Sequence, residues 1–108
     1  MEGFFKVCRT DDLTNNSGKR FIVDDVDVAV FMVENRIYAL SNVCPHQHSP
    51  LIYDGFLEDG CVVCPAHGWM FNLETGKTPT GKRGLNSFEV KVLGNEVFVK
   101  VFKKVLKW

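Results

Sequence analysis

The sequence contains no long apolar run, no net charge and no low-complexity tract. Since no apolar run approaches the roughly 20 residues of a membrane span, no transmembrane helix is predicted. The 13 basic residues are balanced by 13 acidic ones, so the basic excess that favours nucleic-acid binding is missing. We therefore expect a protein that binds neither nucleic acid nor membranes.

The sequence also lacks a recognisable leader. Residues 1–12 contain no basic region followed by a sustained apolar stretch, so no signal peptide is predicted and we expect a cytoplasmic protein. Because thiols stay reduced in the cytoplasm, the four cysteines are predicted to be thiols or metal ligands rather than disulfides. A chain of 108 residues, 45% of them hydrophobic, predicts one domain, residues 1–108, with one core.

Long helical periodicity is absent as well. Short β-branched and aromatic runs alternate with turn residues, which predicts strands near residues 4–8, 19–23, 28–34, 37–40, 54–58, 61–63, 69–73, 88–93 and 96–102. The last two form the clearest pair, because alternating residues flank a two-residue Gly94-Asn95 turn. The acidic residues Asp24, Asp25 and Asp27 are predicted to form a solvated turn rather than a cation site. The sequence therefore predicts an all-β, antiparallel fold.

Two short motifs carry the chemistry of the chain. They are Cys44-Pro45-His46 and Cys64-Pro65-Ala66-His67, and seventeen residues separate His46 from Cys64, which gives the pattern C-x-H-x17-C-x2-H. Each motif offers one thiolate and one imidazole from a proline-bearing loop. Two such loops brought together make a four-ligand Cys2His2 metal site.

Two kinds of metal site can use these four ligands. A structural zinc-binding module is one interpretation, although its common spacing places two cysteines in one motif and two histidines in the other. Here each motif pairs one cysteine with one histidine. That order suits a binuclear iron–sulfur site in which the cysteines hold one iron and the histidines hold the other.

The stretches CPHQHSPL and CVVCPAHGWMFNLETG resemble a Rieske [2Fe–2S] domain, and especially the small ferredoxins of ring-hydroxylating dioxygenases and the small subunit of assimilatory nitrite reductase. The resemblance implies a Rieske-type antiparallel β sandwich or barrel, with cluster-binding loops at about residues 42–50 and 62–70. It also implies one [2Fe–2S] cluster per chain. Cys44 and Cys64 would bind one iron, and His46 and His67 the other.

The resemblance has functional implications too. A Rieske domain without an attached catalytic region implies an electron-transfer protein with no catalysis of its own. In one interpretation it carries one electron from a flavoprotein reductase to an oxygenase-type terminal component. In the alternative it is the small [2Fe–2S] subunit of an NAD(P)H-dependent nitrite reductase, so its status as an enzyme subunit stays open. Both interpretations imply redox proteins as partners.

Departures from the high-potential members of the family predict the redox range. Rieske proteins of respiratory complexes carry an extra cysteine in each loop, where this sequence has Ser49 and Ala66. They also carry hydroxyl groups after the second histidine, where this sequence reads Gly68-Trp69-Met70-Phe71. Because such hydroxyls stabilise the reduced cluster, we expect a reduction potential at the low end, on the order of −150 mV.

Other residues near the motifs allow a functional and a structural interpretation. His48 is predicted to be a loop residue near the cluster rather than a further ligand. Cys61 forms a C-x2-C pattern with Cys64, but it is predicted to be a strand residue, and Cys8 is predicted to pack in the core. Pro79 and Gly81 lie where Rieske domains carry a third loop, which predicts either a cluster shield or an ordinary turn.

Overall fold

The fold is built from nine short strands and two 3-10 turns. The computed structural model describes residues 3–43, 50–65, 68–79 and 84–102. The strands are β1 (Phe4–Arg9), β2 (Ser17–Val23), β3 (Val26–Val33), β4 (Arg36–Ser41), β5 (Phe56–Glu58), β6 (Cys61–Val63), β7 (Met70–Asn72), β8 (Ser87–Leu93) and β9 (Glu96–Lys100). The 3-10 turns are Thr10–Asp12 and Ile52–Asp54. No α-helix occurs within the described ranges, as the sequence predicts.

Six strands form the larger sheet, in the order β1-β9-β8-β4-β3-β2 with every neighbour antiparallel. The sheet curls, so that its two edge strands β1 and β2 line one shared groove. Strand β8 joins the two halves of the sheet. Its start pairs with β4 through Ser87 and Phe88, and its longer remainder pairs with β9 from Glu89 onward. The prediction of an antiparallel all-β fold is confirmed.

The hairpins of the large sheet close through tight turns in the left-handed backbone region. Asp24 and Asp25 have φ values of 48° and 64°, and Glu34 and Asn35 have values of 48° and 67°. Two successive positive φ values define the two-residue turn that matches the twist of a hairpin. The predicted four-residue acidic turn is therefore too long. The chain is already extended at Val26, and Asp27 belongs to β3.

The smaller sheet has three antiparallel strands in the order β5-β6-β7. The Asp59-Gly60 turn joins β5 to β6, with φ values of 50° and 75°. Strand β6 has the bounds that the sequence predicts. Strand β5 begins at Phe56 rather than residue 54, because the preceding residues Ile52–Asp54 form a 3-10 turn.

Strand β3 is buried on both faces and separates two apolar clusters. Val28 and Val30 pack with residues of β8 and β9 inside the curled sheet. Ala29 and Phe31 point to the opposite face and pack against Ile52, the small sheet and the loops around it. Because successive residues of a strand point to opposite faces, one strand can serve both clusters. The second cluster places the small sheet, and with it the second motif, against the large sheet.

Gly18 in β2 allows the two parts of the molecule to approach closely. A Cβ atom at this position would collide with the Phe31 ring and with the backbone carbonyl oxygen of Tyr53. The 3-10 turn Ile52–Asp54 therefore packs on β2 at a place where no side chain intervenes.

Replacing Gly18 by Ala is expected to destabilise the protein. The added methyl group would have to displace a buried ring or the 3-10 turn, and overpacking of this kind costs about 1–3 kcal/mol. Denaturant unfolding followed by far-UV circular dichroism measures the change. The neighbouring exposed Ser17 provides the control, since Ser17→Ala should change the free energy of unfolding by less than about 0.5 kcal/mol. Equal midpoints for Gly18→Ala and Ser17→Ala would contradict the close approach.

Candidate metal centre

The second motif begins at the buried end of β6. Cys64 is 1% exposed and packs in the apolar cluster between the two sheets. Its backbone N–H donates to the carbonyl oxygen of Trp69 at 2.8 Å, and its carbonyl oxygen accepts from the N–H of Gly68 at 2.9 Å. Gly68 has a φ of 72°, a left-handed conformation that glycine adopts without strain. Both backbone groups of Cys64 are therefore fixed at the base of this loop.

The first motif follows β4, and its base is held by Asn42. The side-chain Nδ2 of Asn42 donates to the carbonyl oxygen of Pro50 at 3.1 Å, and its Oδ1 accepts from the N–H of Tyr53 at 2.8 Å. Its carbonyl oxygen accepts from the N–H of Ile52 at 3.2 Å. Asn42, directly after β4, thus binds three residues of the segment that follows the loop.

Asn42 is linked in turn to the large sheet through Asp27. The Asn42 N–H donates to the Asp27 carbonyl oxygen at 2.9 Å, which extends the β3–β4 ladder by one residue. The Asn42 Nδ2 also donates to Asp27 Oδ1 at 3.0 Å, and Arg20 binds both carboxylate oxygens at 2.9 and 2.8 Å. The prediction that Asp27 belongs to a solvated turn is wrong, since its side chain is 18% exposed and occupied by these contacts.

A third segment enters and leaves the same region at Gly76 and Leu85. The Leu85 N–H donates to the Gly76 carbonyl oxygen at 2.7 Å. A Cβ on Gly84 would collide with that carbonyl oxygen, so glycine is required for this approach. Beyond it, the backbone of Ser41 donates to the Asn86 carbonyl oxygen at 2.9 Å, and the Ser41 hydroxyl oxygen accepts from the Asn86 N–H at 3.1 Å.

The bases of the three segments converge. Ile52 after the first motif, Cys64 in the second and Leu85 after the third segment all belong to one buried cluster, together with Leu40 at the end of β4. A thiolate placed here would be removed from water, which is costly unless a cation compensates its charge. A metal ion bound by the Cys64 thiolate would supply such a compensating charge.

A protein-family model agrees with this arrangement. The model described as the Rieske [2Fe–2S] domain matches residues 3–103. The chain belongs to the Rieske [2Fe–2S] domain family. The predicted membership of the Rieske family is confirmed, and the cofactor of this family is a [2Fe–2S] cluster.

Two relatives illustrate the range of Rieske proteins to which the chain is similar. The ferredoxin component of an alkene monooxygenase system from Xanthobacter autotrophicus is 34% identical, over 89% of this chain and 80% of its own. Human apoptosis-inducing factor 3 is 33% identical over 94% of this chain, which spans 17% of the length of that protein. The region similar to this chain therefore makes up most of the first relative and a small part of the second.

Solved structures show the same fold. A chain in the complex of reduced oxygenase and oxidized ferredoxin in carbazole 1,9a-dioxygenase is 31% identical, with a TM-score of 0.82 over 98% of this chain and 100% of the other. The nitrite reductase [NAD(P)H] small subunit from Erwinia carotovora superposes equally well, with a TM-score of 0.82 over 100% of this chain and 88% of its own. At 22% identity, the second likeness shows the fold alone.

The structure describes one of the four predicted ligands. Cys64 is buried, while Cys44, His46 and His67 lie outside the described residues, as do His48, Ser49, Ala66 and Gly81. The donor set of two thiolates and two imidazoles fits the Rieske cluster by its chemistry, and the buried position of Cys64 agrees with it. Among the described residues, no group of three or more candidate side chains forms a different metal site.

The other residues for which the sequence allows a functional interpretation have structural positions. Cys8 is buried in the cluster inside the curled sheet. Cys61 is a half-buried strand residue of β6, as predicted. Phe71 is fully buried between the sheets, and Trp69 packs against it with ring centroids 6.4 Å apart.

Among the described residues, no helix is long and apolar enough to cross a membrane.

Asn42 is the site residue that the sequence analysis missed. It lies two positions before Cys44, at the start of the predicted loop 42–50, where a polar side chain is ordinary. The residue type itself could have indicated this role, because the asparagine side chain carries both a donor and an acceptor and can bind backbone C=O and N–H groups on the other side of a loop.

Cys61 is expected to react slowly with alkylating agents. Burial raises the pKa of its thiol, and the Asp59 carboxylate raises that pKa further. Since the thiolate is the nucleophile, alkylation of Cys61 should lag behind that of a free cysteine peptide near pH 8 and accelerate as the pH rises. Peptide mass spectrometry after timed iodoacetamide treatment gives the rate.

Asp59→Asn tests the electrostatic part of this effect. Asparagine tolerates the left-handed backbone of position 59, and the substitution removes the negative charge that opposes the thiolate. The rate at Cys61 should therefore increase in Asp59→Asn. Cys61 that alkylates faster than the free peptide would show that its thiol pKa is lowered instead.

Proposed function

We propose that this chain is a Rieske ferredoxin that carries one electron at a time from a flavoprotein reductase to an oxygenase-type terminal component. The observation that carries the proposal is the family match over residues 3–103, combined with the burial of Cys64 where the loop bases converge. When bound, the cluster supplies one-electron redox chemistry at a potential that depends on its surroundings.

The proposed ligands are Cys44 and Cys64 for one iron and His46 and His67 for the other. Cys64 supports this assignment through its position, since a thiolate in a buried cluster needs a cation nearby. Gly68 and Trp69 hold its backbone, so the direction of its Cα–Cβ bond is set before any metal binds. Preorganised ligands reduce the ordering that binding would otherwise require.

The choice of terminal partner rests on the sequence relatives. The alkene monooxygenase ferredoxin and the chain of the carbazole dioxygenase complex are both more than 30% identical to this protein. The nitrite reductase small subunit is 22% identical, which favours it less. Stopped-flow mixing of the reduced protein with an oxygenase component, and separately with a nitrite reductase large subunit, tests the choice. We expect fast oxidation by the oxygenase component alone. Fast oxidation by the nitrite reductase large subunit alone would instead identify the nitrite reductase as the partner.

The chain is proposed to act as a carrier without catalysis of its own. It contains no Rossmann fingerprint and no second metal-binding motif of the kind that an oxygenase catalytic domain requires. We place it in the cytoplasm, where its four cysteines can remain reduced. A carrier of this kind meets its partners in small, transient interfaces.

The cluster ligands can be tested against a neighbouring cysteine. Cys64→Ser is expected to remove most of the visible absorption and bound iron of the purified protein, since a serine at this position supplies no thiolate. Cys61→Ser is the matched control, because Cys61 lies three residues before Cys64, at the start of β6, and should retain full iron and absorption. Iron analysis and visible spectroscopy measure both. A colourless wild-type protein containing zinc would refute the iron–sulfur assignment.

The reduction potential is expected at the low end of the Rieske range, on the order of −150 mV. The reason is chemical, because Trp69 and Phe71 offer no hydroxyl hydrogen bonds that would stabilise the reduced cluster. Protein-film voltammetry measures the potential, and electron paramagnetic resonance of the reduced protein identifies the cluster type. A value well above 0 mV would show that other donors replace the missing hydroxyl groups.

A further inference from the structure

We propose that Asn42, supported by Asp27 and Arg20, is a positioning residue for the cluster, and that it sets where the first ligand loop stands relative to the second. The inference rests on the proposed function, since it concerns the ligands that these loops carry. It follows from the hydrogen bonds of Asn42, which join the large sheet to both sides of the loop base.

Asn42 is fully buried and makes five hydrogen bonds. Its Nδ2 donates to Asp27 Oδ1 and to the Pro50 carbonyl oxygen, and its Oδ1 accepts from the Tyr53 N–H. Its backbone adds one bond to Asp27 and one to Ile52. Among the described residues it is the one buried polar side chain. A buried polar group with every partner satisfied specifies one geometry, because any displacement leaves a donor or acceptor without its bond.

The side chain can be accommodated in only one orientation. Two acceptors, Asp27 Oδ1 and the Pro50 oxygen, face the amide nitrogen, and one donor, the Tyr53 N–H, faces the amide oxygen. A flipped amide would place oxygen against two oxygens. Aspartate at position 42 would do the same with an added charge, so even an isosteric substitution is incompatible with this network.

Asp27 and Arg20 hold the far end of the network. Asp27 Oδ1 accepts from both Asn42 Nδ2 at 3.0 Å and Arg20 Nε at 2.9 Å, while Arg20 also binds Oδ2 at 2.8 Å. The bidentate contact fixes the plane of the carboxylate. Arg20 lies in β2 and Asp27 in β3, so the network is anchored to two strands of the large sheet.

The opposite end of the network reaches the neighbourhood of the second loop. Ile52, whose N–H binds the Asn42 carbonyl oxygen, is fully buried in the same cluster as Cys64. A shift of the segment 50–53 would therefore change the position of the first loop's base relative to Cys64. Metal sites require ligands held within about 0.5 Å of their productive geometry, so such a shift would alter the site that both loops share.

The test compares variants along the network with a matched ion pair elsewhere. Asn42→Ala and Asp27→Asn are prepared as holoproteins, together with Arg20→Gln. Lys6→Gln serves as the control, because it breaks an exposed ion pair of 2.7 Å with Glu96 between β1 and β9, and neither residue binds Asn42, Asp27 or Arg20. Three properties are measured: the electron paramagnetic resonance spectrum of the reduced cluster, the rate of iron release to a chelator, and the far-UV unfolding midpoint.

Asn42→Ala is expected to release iron about tenfold faster or more, as for partners that orient metal ligands, and to shift the g values of the reduced cluster. Asp27→Asn keeps an oxygen for Asn42 but weakens the contact with Arg20, so its effect should be smaller and in the same direction. Arg20→Gln should show the smallest effect, and Lys6→Gln none. This order along the network would support the proposal.

Several results would overturn it. Unchanged g values and iron release in Asp27→Asn and Arg20→Gln would do so, even if Asn42→Ala fails to fold. Iron release that follows the far-UV midpoint equally in Arg20→Gln and Lys6→Gln would show a general effect on stability. A wild-type protein without a Rieske spectrum would refute the proposed function and this inference together, whereas a normal wild-type spectrum with unaffected variants would refute this inference alone.

Discussion

The burial of β3 on both faces is the constraint on which the rest of the structure depends. Val28 and Val30 fill the inside of the curled sheet, while Ala29 and Phe31 receive the small sheet on the other side. A half-exposed strand would leave the small sheet without an apolar surface to pack on. Because β3 is apolar throughout its centre, one strand supports both a self-contained sheet and the base of the metal-binding loops.

This arrangement concerns a general problem of metal sites whose ligands lie on loops. Loops are the most mobile parts of most proteins, yet ligands of a metal cluster must stay in place. Here backbone hydrogen bonds of Cys64 and Leu85 join the two sides of the second loop and of the third segment. At the base of the first loop, the side chain of Asn42 adds hydrogen bonds to Pro50 and Tyr53. The hydrogen bonds that hold these loops, as far as the described residues show them, therefore lie at the points where the loops leave the sheets.

Much of the fold could be predicted from the sequence because its signals are local. The Gly94-Asn95 and Asp59-Gly60 turns fix their hairpins, and alternation identifies the strands on either side. The sequence gives no indication of a side chain's role where that role depends on contacts with residues far away in the chain. Asp27 looks like a surface residue until Arg20 and Asn42 occupy its carboxylate, and Asn42 looks ordinary until Pro50 and Tyr53 bind it. The two motifs identified the family because the order and spacing of cysteine and histidine within each motif can be read directly from the sequence.

The contact between Ser41 and Asn86 has a topological consequence. Two hydrogen bonds join these residues, which are 45 positions apart. The entire stretch that carries both motifs and the small sheet thus leaves the large sheet at one point and returns to it beside that point. It has the connectivity of an insertion, because β4 and β8 would remain neighbours if a short turn replaced it. Termini that meet in space are what allow one module to be inserted into another. The large sheet corresponds to the host module, and the stretch between Ser41 and Asn86 corresponds to an inserted module whose two ends are adjacent and which also packs on β3.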